Sequence, residues 1–263
     1  MIQVQNLTVG RVLRGVSFEL PADGCLGVVG LNGAGKSTLL ALLAGVLPPD
    51  EGSIEIPPGA AYLPEGCPLD GGIRVRSWLQ LATRLPGYEP AWAAEVGVAL
   101  PLDERTPAGR LSQGQRVRLG LRMTLARRAP AYLLDDPFLG LDPIARRAAE
   151  SAIAERCAEA PVVLAAQDTG ALERLCTHLL LLRDGEMVWC APLEAWRERY
   201  RLLRIPESRR AVLQEHGASV RSTTTRGAWL DVFVDDPDGA VGRALGGESV
   251  PLDLADLIAE VAA

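Results

Sequence analysis

The chain has 263 residues, of which 48% are hydrophobic and 23% charged, so it is long enough and apolar enough to bury a full core. A formal net charge of −6 argues against a protein whose main task is to grip nucleic acid, and we expect no nucleic-acid partner. The apolar runs are too short to span a bilayer, the N-terminus shows no signal segment and the five cysteines lack paired spacing, which together predict a cytoplasmic protein with reduced thiols.

The first informative segment is GLNGAGKST at residues 30–38, which holds the single lysine of the chain, Lys36. It follows the apolar stretch CLGVV and precedes the helix-forming stretch LLALLAGV, which is the strand, loop and helix context of a phosphate-binding loop. Glycines let successive backbone N–H groups converge on phosphate oxygens, and the helix N-terminus adds partial positive charge. We therefore expect a nucleotide site in which Lys36 reaches the β- and γ-phosphates and Ser37 binds Mg²⁺. The residues predicted to surround the nucleotide here are Gly30, Leu31, Asn32, Gly33, Ala34, Gly35, Lys36, Ser37 and Thr38.

The second segment is LSQGQ at residues 111–115, and its local pattern predicts the start of a helix. Ser112 as N-cap with Gln115 three residues later forms a capping box, and RVRLGLRMTLARRA follows as the helix.

The third segment, LLDDPFLGLDP at residues 133–143, reads as a buried strand that ends in two aspartates. Asp135 falls at the carboxyl end of the strand, where parallel α/β sheets place their ligand chemistry. We expect Asp135 to hold Mg²⁺ through water and Asp136 to face the γ-phosphate. The alternative for either aspartate is a cap of a turn or helix.

In order, GLNGAGKST, LSQGQ, LLDDP and LGLD resemble the Walker A, signature, Walker B and D-loop motifs of ATP-binding cassette (ABC) proteins, over roughly residues 1–190. The resemblance implies an α/β P-loop NTPase with a RecA-like core, an antiparallel β portion near the N-terminus and a helical subdomain at about residues 67–128. We expect this nucleotide-binding domain to cover residues 1–191, and its last part, LLLLRDGEMVWC, predicts two strands joined by an Asp-Gly turn. Helical periodicity in PLEAWRERYRLL and a strand-like run in AWLDVFVDD predict a small α/β extension at residues 192–263.

The resemblance also implies a second cassette. In this family two cassettes pair head to tail, with ATP between the Walker A motif of one and the signature of the other. The signature residues expected to reach the partner's nucleotide are Ser112, Gly114 and Gln115, and Asp142 of the D-loop is also expected to bind nucleotide. The N-terminus of the signature helix would then point at the partner's γ-phosphate.

Three residues depart from the family pattern at the catalytic end. Asp136 stands where the family usually has the glutamate that polarises water, and a misplacement of about 1 Å can cost on the order of a hundredfold in rate. Gln167 replaces the switch histidine, so it can donate a hydrogen bond to the γ-phosphate but carries no positive charge. Glu65, in YLPE, replaces a glutamine that contacts Mg²⁺ and couples to the membrane partner, and its oxygen can still bind the ion.

The aromatic residue that commonly stacks on adenine in this family would lie in the segment TVGRV. Val9 and Gly10 occupy that place. The guanidinium plane of Arg11 is able to lie against a base instead, and the alternative is a solvated loop arginine.

The function implied by the resemblance is the ATP-binding subunit of a membrane transporter, peripheral on the inner face of the membrane, with separate transmembrane permease subunits as partners. The C-terminal extension and YLPE favour an exporter by analogy. Two alternatives stay open. One is a catalytically weak regulatory cassette that works by ATP-dependent dimerisation, which Asp136 and Gln167 favour; the other is a soluble cassette outside transport.

Overall fold

The computed structural model describes residues 1–167, 169–216 and 219–262. It divides into two compact units, Met1–Cys190 and Ala191–Ala263. Within the described ranges no helix is both long and apolar enough to cross a membrane. The elements of the first unit, in chain order, are β1 (Ile2–Val9), β2 (Leu13–Leu20), β3 (Cys25–Val29), α1 (Lys36–Leu43), β4 (Glu51–Glu55), β5 (Ala61–Leu63), α2 (Val75–Ala82), α3 (Pro90–Ala99), α4 (Gln113–Leu125), β6 (Tyr132–Asp135), α5 (Pro143–Cys157), β7 (Val162–Ala165), α6 (Thr169–Leu175), β8 (His178–Arg183) and β9 (Glu186–Pro192).

The main sheet of the first unit has the strand order β5-β6-β7-β3-β8-β9. Pairing is parallel from β5 through β8, and every residue of β3, β6 and β7 is buried. Strands buried on both faces need apolar side chains throughout, which explains the continuous runs CLGVV and VVLA. The carboxyl ends of β5, β6 and β7 therefore lie side by side, next to the loop that follows β3.

A second sheet carries the N-terminal part of the chain. Its order is β2-β1-β4, and both pairings are antiparallel. Alternate side chains of β1 and β2 point into the core, among them Ile2, Val4, Val16 and Phe18, where they pack with leucines of α1. The predicted α/β class, with a parallel core and an antiparallel N-terminal portion, is confirmed.

The helical segment carries α2, α3 and α4 and a short 3₁₀ turn at Ala108–Arg110. A separate small core joins α2, the 3₁₀ turn and α4 through Val75, Ala108, Leu111 and Leu119. The predicted Asp-Gly turn between β8 and β9 is also present: Asp184 and Gly185 have φ values of 50° and 80°, and both left-handed conformations suit a two-residue hairpin turn.

Arg156, near the end of α5, anchors the far end of α4. Its side chain is only 4% exposed, and its Nη2 and Nε donate to the carbonyl oxygen of Leu125 at 2.9 and 3.3 Å. Its guanidinium also bonds to Glu89 at 3.0 Å and Glu159 at 2.9 Å and lies 4.6 Å from the ring centroid of Trp92. The last carbonyls of a helix lack intrahelical donors, and a positive charge there favours the helix dipole. Arg156 thus joins α3, α4 and α5.

Arg156→Gln is expected to lower the free energy of unfolding by about 3 kcal/mol, since it removes the charge-assisted hydrogen bonds of a buried guanidinium, including those to the carbonyl oxygen of Leu125. Arg128→Gln is the matched control, because Arg128 contacts the same Glu89 and Glu159 from a side chain that is 65% exposed. Its loss is expected to be about 0.5 kcal/mol. Urea unfolding followed by circular dichroism compares them, and equal losses would contradict the anchoring role.

The second unit is a four-stranded antiparallel sheet with helices. Its elements are α7 (Leu193–Arg199), β10 (Tyr200–Pro206), a 3₁₀ helix (Glu207–His216), β11 (Val220–Arg226), β12 (Trp229–Asp235), α8 (Ala240–Leu245), β13 (Glu248–Val250) and α9 (Leu254–Ala262). The strand order is β11-β12-β10-β13, around a core that includes Ile205, Leu230, Val232 and Leu245. This is the mixed α/β composition expected for residues 192–263.

Candidate nucleotide site

The segment at residues 30–38, called the phosphate loop below, connects β3 to α1 as predicted. Gly30 and Gly35 have φ values of 146° and 104°, and a Cβ atom at Gly30 would collide with the carbonyl oxygen of Leu182. Only glycine adopts such positive φ values without strain, and only glycine leaves room for the carbonyl oxygen of Leu182 next to residue 30. Gly35 is the N-cap of α1 and has no side chain to cap the helix, so the first N–H groups of α1 are available to an anion.

Lys36 begins α1 and folds its side chain back over the phosphate loop. Its Nζ donates hydrogen bonds to the carbonyl oxygens of Gly30 at 2.9 Å and Leu31 at 3.1 Å. Burial lowers the pKa of the ammonium group, and three nearby carboxylates oppose that shift. The ammonium group is thus partly desolvated and held at the mouth of the loop, where a phosphate oxygen is a suitable partner.

Asp135 is the last residue of β6 and is only 4% exposed. Burial raises the pKa of its carboxyl group to about 6; a hydrogen bond with Ser37 opposes the shift, and the negative charges of Glu65 and Asp136 add to it. A buried carboxylate surrounded by other carboxylates favours a cation among them. Because the side chains of Ser37 and Asp135 are hydrogen-bonded to each other, their oxygen atoms lie close together. This is expected of two residues that bind the same metal ion.

Asp136 has a left-handed backbone, with φ of 51°, which the sequence did not reveal. Its N–H donates to the carbonyl oxygen of Ala165 at 2.8 Å, and its carboxylate accepts a hydrogen bond from Gln167 Nε2 at 3.3 Å. Burial raises the pKa of Asp136, while hydrogen bonds from Gln167 oppose the shift. Asp136 and Gln167, two of the three residues that depart from the family pattern, are therefore in direct contact. Aspartate tolerates the left-handed region better than most side chains.

These groups line one cleft of about 380 Å³. Its lining residues are Val12, Asn32, Gly33, Gly35, Lys36, Ser37, Thr38, Glu65, Asp135, Asp136, Ala165, Ala166 and Gln167. All three predicted catalytic residues and all three predicted metal ligands are among them. Gly30, Leu31 and Ala34 shape the loop but do not line the cleft.

Val12, Ala165 and Ala166 were not predicted. The two alanines could have been found from the sequence, because they end and follow a buried strand beside β6. Val12 gives no such signal, because its place depends on how the turn between β1 and β2 packs on the phosphate loop.

The signature residues lie outside this cleft, at the start of α4. The predicted capping box is confirmed: Gln115 N–H donates to Ser112 Oγ at 3.2 Å, and Ser112 N–H donates to Gln115 Oε1 at 2.9 Å. Both residues are exposed, whereas Gly114 is buried against Gly140, whose carbonyl oxygen a Cβ atom at Gly114 would meet.

Asp142 also lies outside the cleft. It was predicted to bind nucleotide, and the structure shows in addition that it caps a helix. It is the N-cap of α5 and accepts hydrogen bonds from the N–H groups of Ile144 and Ala145 at 3.0 and 2.9 Å. Its other oxygen pairs with Arg118 of α4. The cleft of their own chain is therefore lined neither by the signature residues nor by Asp142.

Comparisons with known proteins agree with this geometry. The family model described as "ABC transporter" matches residues 13–139. The cytochrome c biogenesis ATP-binding export protein CcmA of Rhodobacter capsulatus is 35% identical over 201 residues, which cover 74% of this chain and 89% of that protein. The thiamine import ATP-binding protein ThiQ of Jannaschia sp. is 31% identical over 217 residues, covering 73% and 93% respectively.

A solved structure described as the ATP-binding subunit of an ABC transporter superposes with a TM-score of 0.68 at 26% identity, over 74% of this chain and 91% of that one. The fold of about three quarters of this chain therefore occurs in a protein of that description. Because the sequence likeness to CcmA extends over three quarters of this chain and most of the relative, the chain belongs to the ABC transporter family of ATP-binding proteins, the ABC ATPases.

Proposed function

We propose that this chain is the MgATP-binding and hydrolysing subunit of a membrane transporter, and that it closes on ATP as a dimer. One observation carries the proposal: Lys36, Asp135, Asp136 and Gln167 meet in one cleft at the carboxyl ends of parallel strands. In open α/β sheets this is where ligands bind. A cationic loop for phosphates beside carboxylates for a metal is the arrangement that phosphoryl transfer needs.

The residues proposed to hold Mg²⁺ are Ser37, Asp135 and Glu65. Their donors are all oxygen atoms, which this hard cation prefers. The described ranges contain no cluster of three or more His, Cys, Asp or Glu side chains that could hold a metal ion by themselves. Phosphate oxygens would complete the coordination, as is usual for Mg²⁺ bound with a nucleotide. The bound ion would neutralise charge on the β- and γ-phosphates.

The dimer is supported by the separation of the two halves of the expected site. Ser112 caps an exposed helix N-terminus, and neither it nor Gly114, Gln115 or Asp142 lines the cleft of its own chain. A helix N-terminus favours an anion. In a head-to-tail pair this helix would meet the γ-phosphate held by the partner subunit.

Ser112→Arg is expected to leave ATP binding to the monomer within about twofold of the parent and to abolish ATP-driven dimerisation, because it places a bulky cation where the partner's nucleotide should fit. Loss of the N-cap lowers stability by about 1 kcal/mol, which leaves the fold intact. Size-exclusion chromatography with a non-hydrolysable ATP analogue measures dimerisation. Ser77→Arg, the same change at an exposed serine of α2, is the control. Normal dimerisation of Ser112→Arg would refute the head-to-tail site.

We propose separate transmembrane permease subunits as partners and a location on the inner face of the membrane. Support comes from the family and from the two relatives named for transport. CcmA is named for export and ThiQ for import, so the direction rests on the C-terminal α/β unit and YLPE, which favour export by analogy. Purification in mild detergent tests the assignment: recovery of polytopic membrane proteins in fixed ratio is expected, and recovery of soluble partners alone would contradict it.

A second candidate is a regulatory cassette that turns over slowly and works through ATP-dependent dimerisation. The contact between Asp136 and Gln167 favours it, because neither residue matches the usual catalytic group. Asp136 has a shorter side chain than glutamate, and Gln167 lacks the positive charge that a histidine can carry. Steady-state phosphate release compared with ATP-driven dimerisation decides between the two: a dimer that forms with almost no turnover supports the regulatory cassette.

A further inference from the structure

Three of the five cysteines lie together at the amino-terminal end of the main sheet. Cys25 begins β3, Cys157 ends α5 shortly before β7, and Cys176 lies between α6 and β8. Because β3 pairs in parallel with both β7 and β8, the amino ends of these three strands are adjacent. The three residues, called the thiol cluster below, therefore lie at the opposite end of the strands from the nucleotide cleft.

The sulfur atoms of the thiol cluster form a chain of hydrogen bonds. The thiol of Cys25 donates to Sγ of Cys176 at 3.7 Å, and the thiol of Cys157 donates to Sγ of Cys25. Cys25 and Cys176 are 1% and 6% exposed, whereas Cys157 is only partly buried. Cys157 is thus the most accessible residue of the three, and Cys25 connects it to Cys176.

The backbone holds Cys25 and Cys176 within range of a disulfide. Thr177 N–H donates to the carbonyl oxygen of Cys25 at 2.9 Å, and Cys25 N–H donates to Thr177 Oγ1 at 3.0 Å. Neighbouring strands lie about 4.8 Å apart, and a disulfide needs Cα atoms within about 7 Å of each other. The two sulfur atoms have to approach from 3.7 Å to about 2.0 Å, a change within the reach of side-chain rotation.

The surroundings of the thiol cluster favour uncharged sulfur. The hydrogen bond to Cys25 and burial both raise the pKa of the Cys157 thiol. Since the thiolate is the attacking form in disulfide exchange, the reaction of Cys157 is slow and proceeds over hours. A disulfide carries no charge, so its burial has none of the cost of burying a thiolate.

We propose that the thiol cluster is a site of reversible oxidation, at which a low-molecular-weight disulfide reacts with Cys157 and the oxidation ends as a disulfide between Cys25 and Cys176. The sulfur of Cys157 attacks the small disulfide and releases one small thiol. Cys25 then attacks the sulfur of Cys157 and releases the second small thiol, and Cys176 attacks the sulfur of Cys25 and releases Cys157 as a thiol. Each attacking thiol gives up its proton, and each leaving sulfur takes one up. Two protein thiols and one small disulfide thus become one protein disulfide and two small thiols.

Access explains why the pair of Cys25 and Cys176 is the end point. A small thiol reverses a disulfide only by reaching one of its sulfur atoms. Both residues of this pair are buried, whereas a disulfide between Cys25 and Cys157 includes the more accessible residue. Oxidation should therefore accumulate at the buried pair.

The reduced full chain, incubated for hours with glutathione disulfide, tests the proposal. Free thiols are then alkylated, and the digested chain is analysed by mass spectrometry without reduction. The expected result is a linked pair of peptides that contain Cys25 and Cys176, with Cys157 alkylated, and dithiothreitol should restore both thiols. In urea this pair should not be preferred, because the two residues are 151 positions apart in the chain. A folded chain without this link, or with Cys25 and Cys157 as the final pair, would overturn the proposal.

Two variants test the order of the steps. Cys157→Ser is expected to slow formation of the link between Cys25 and Cys176 by about tenfold or more, because the accessible thiol is lost. Cys190→Ser is the matched control, since Cys190 is also partly buried and burial alone raises the pKa of its thiol. It should leave the rate unchanged. Equal rates in Cys157→Ser and the parent would overturn the entry of oxidant at Cys157.

Cys176→Ser removes the last step and should stop the reaction one stage earlier. The expected product is a disulfide between Cys25 and Cys157, found by the same peptide analysis. A mixed disulfide of glutathione with Cys157 as the lasting product would show that Cys25 does not attack Cys157, and would overturn the proposed sequence of exchanges.

Discussion

Lys36→Ala is expected to weaken MgATP binding by about 100-fold and to abolish measurable turnover. A charge-assisted hydrogen bond contributes roughly 1.5–3 kcal/mol, and each 1.4 kcal/mol corresponds to a factor of ten in affinity. The side chain of Lys36 already lies over the loop, with its Nζ hydrogen-bonded to two loop carbonyl oxygens. Only a small movement of the side chain is therefore needed for Nζ to contact a phosphate. Its loss removes the one lysine of the whole chain.

The measurement is calorimetric titration with MgATP, together with circular dichroism to show that the fold is retained. Lys36→Arg is the control: it keeps the charge but replaces a compact ammonium with a planar fork, so binding is expected to survive while turnover falls. MgATP affinity and activity equal to those of the parent in Lys36→Ala would remove the basis for the phosphate site.

Asp136→Asn is expected to retain, or even strengthen, the ATP-closed dimer while phosphate release falls about 100-fold or more, the scale of a general base. Asparagine has the same shape and also tolerates the left-handed backbone of this position, so the change removes charge without disturbing the turn. Asp135→Asn is the comparison, because Asp135 is proposed to hold the metal. It should impair Mg²⁺-dependent binding and turnover together.

The reverse change asks whether the short side chain limits turnover. Asp136→Glu restores reach toward the γ-phosphate and is expected to raise hydrolysis by roughly tenfold to a hundredfold, since about 1 Å at a reacting centre has effects of this size. Gln167→His, added to it, should raise hydrolysis further, because the histidine can carry the positive charge that Gln167 lacks. Steady-state phosphate release measures both variants.

A slower Asp136→Glu enzyme would mean that the site is built around aspartate. Two features of the structure would explain that outcome. The left-handed backbone of Asp136, with φ of 51°, favours the shorter side chain, and Gln167 is already hydrogen-bonded to its carboxylate. The activity of Asp136→Glu with and without Gln167→His distinguishes a carboxylate that is too short from a site built around the contact between Asp136 and Gln167. In the first case Asp136→Glu alone raises hydrolysis, and in the second only the double variant does.

The sequence by itself determines those features of the protein that depend on contacts between near neighbours. The phosphate loop, the capping box at Ser112 and the Asp-Gly turn at residues 184–185 each depend on backbone conformation and hydrogen bonds within a few residues. Their residue types are dictated by positive φ values and by helix ends without partners, so a contiguous pattern was enough to predict them. The buried parallel strands followed from the same kind of local evidence, continuous apolar runs.

Other features were decided only by the tertiary structure. The strand order places β5 beside β6 and β7 beside β3, which brings Glu65, Asp135 and Gln167 together from distant parts of the chain. The packing of the β1–β2 turn on α1 puts Val12 in the cleft, and the burial of Arg156 beneath the end of α4 shows in no motif. The physical reason is the same in each case. The sequence of a helix or strand constrains the conformation of that element, but it does not determine which other elements lie next to it. The packing of the whole core decides which elements are adjacent.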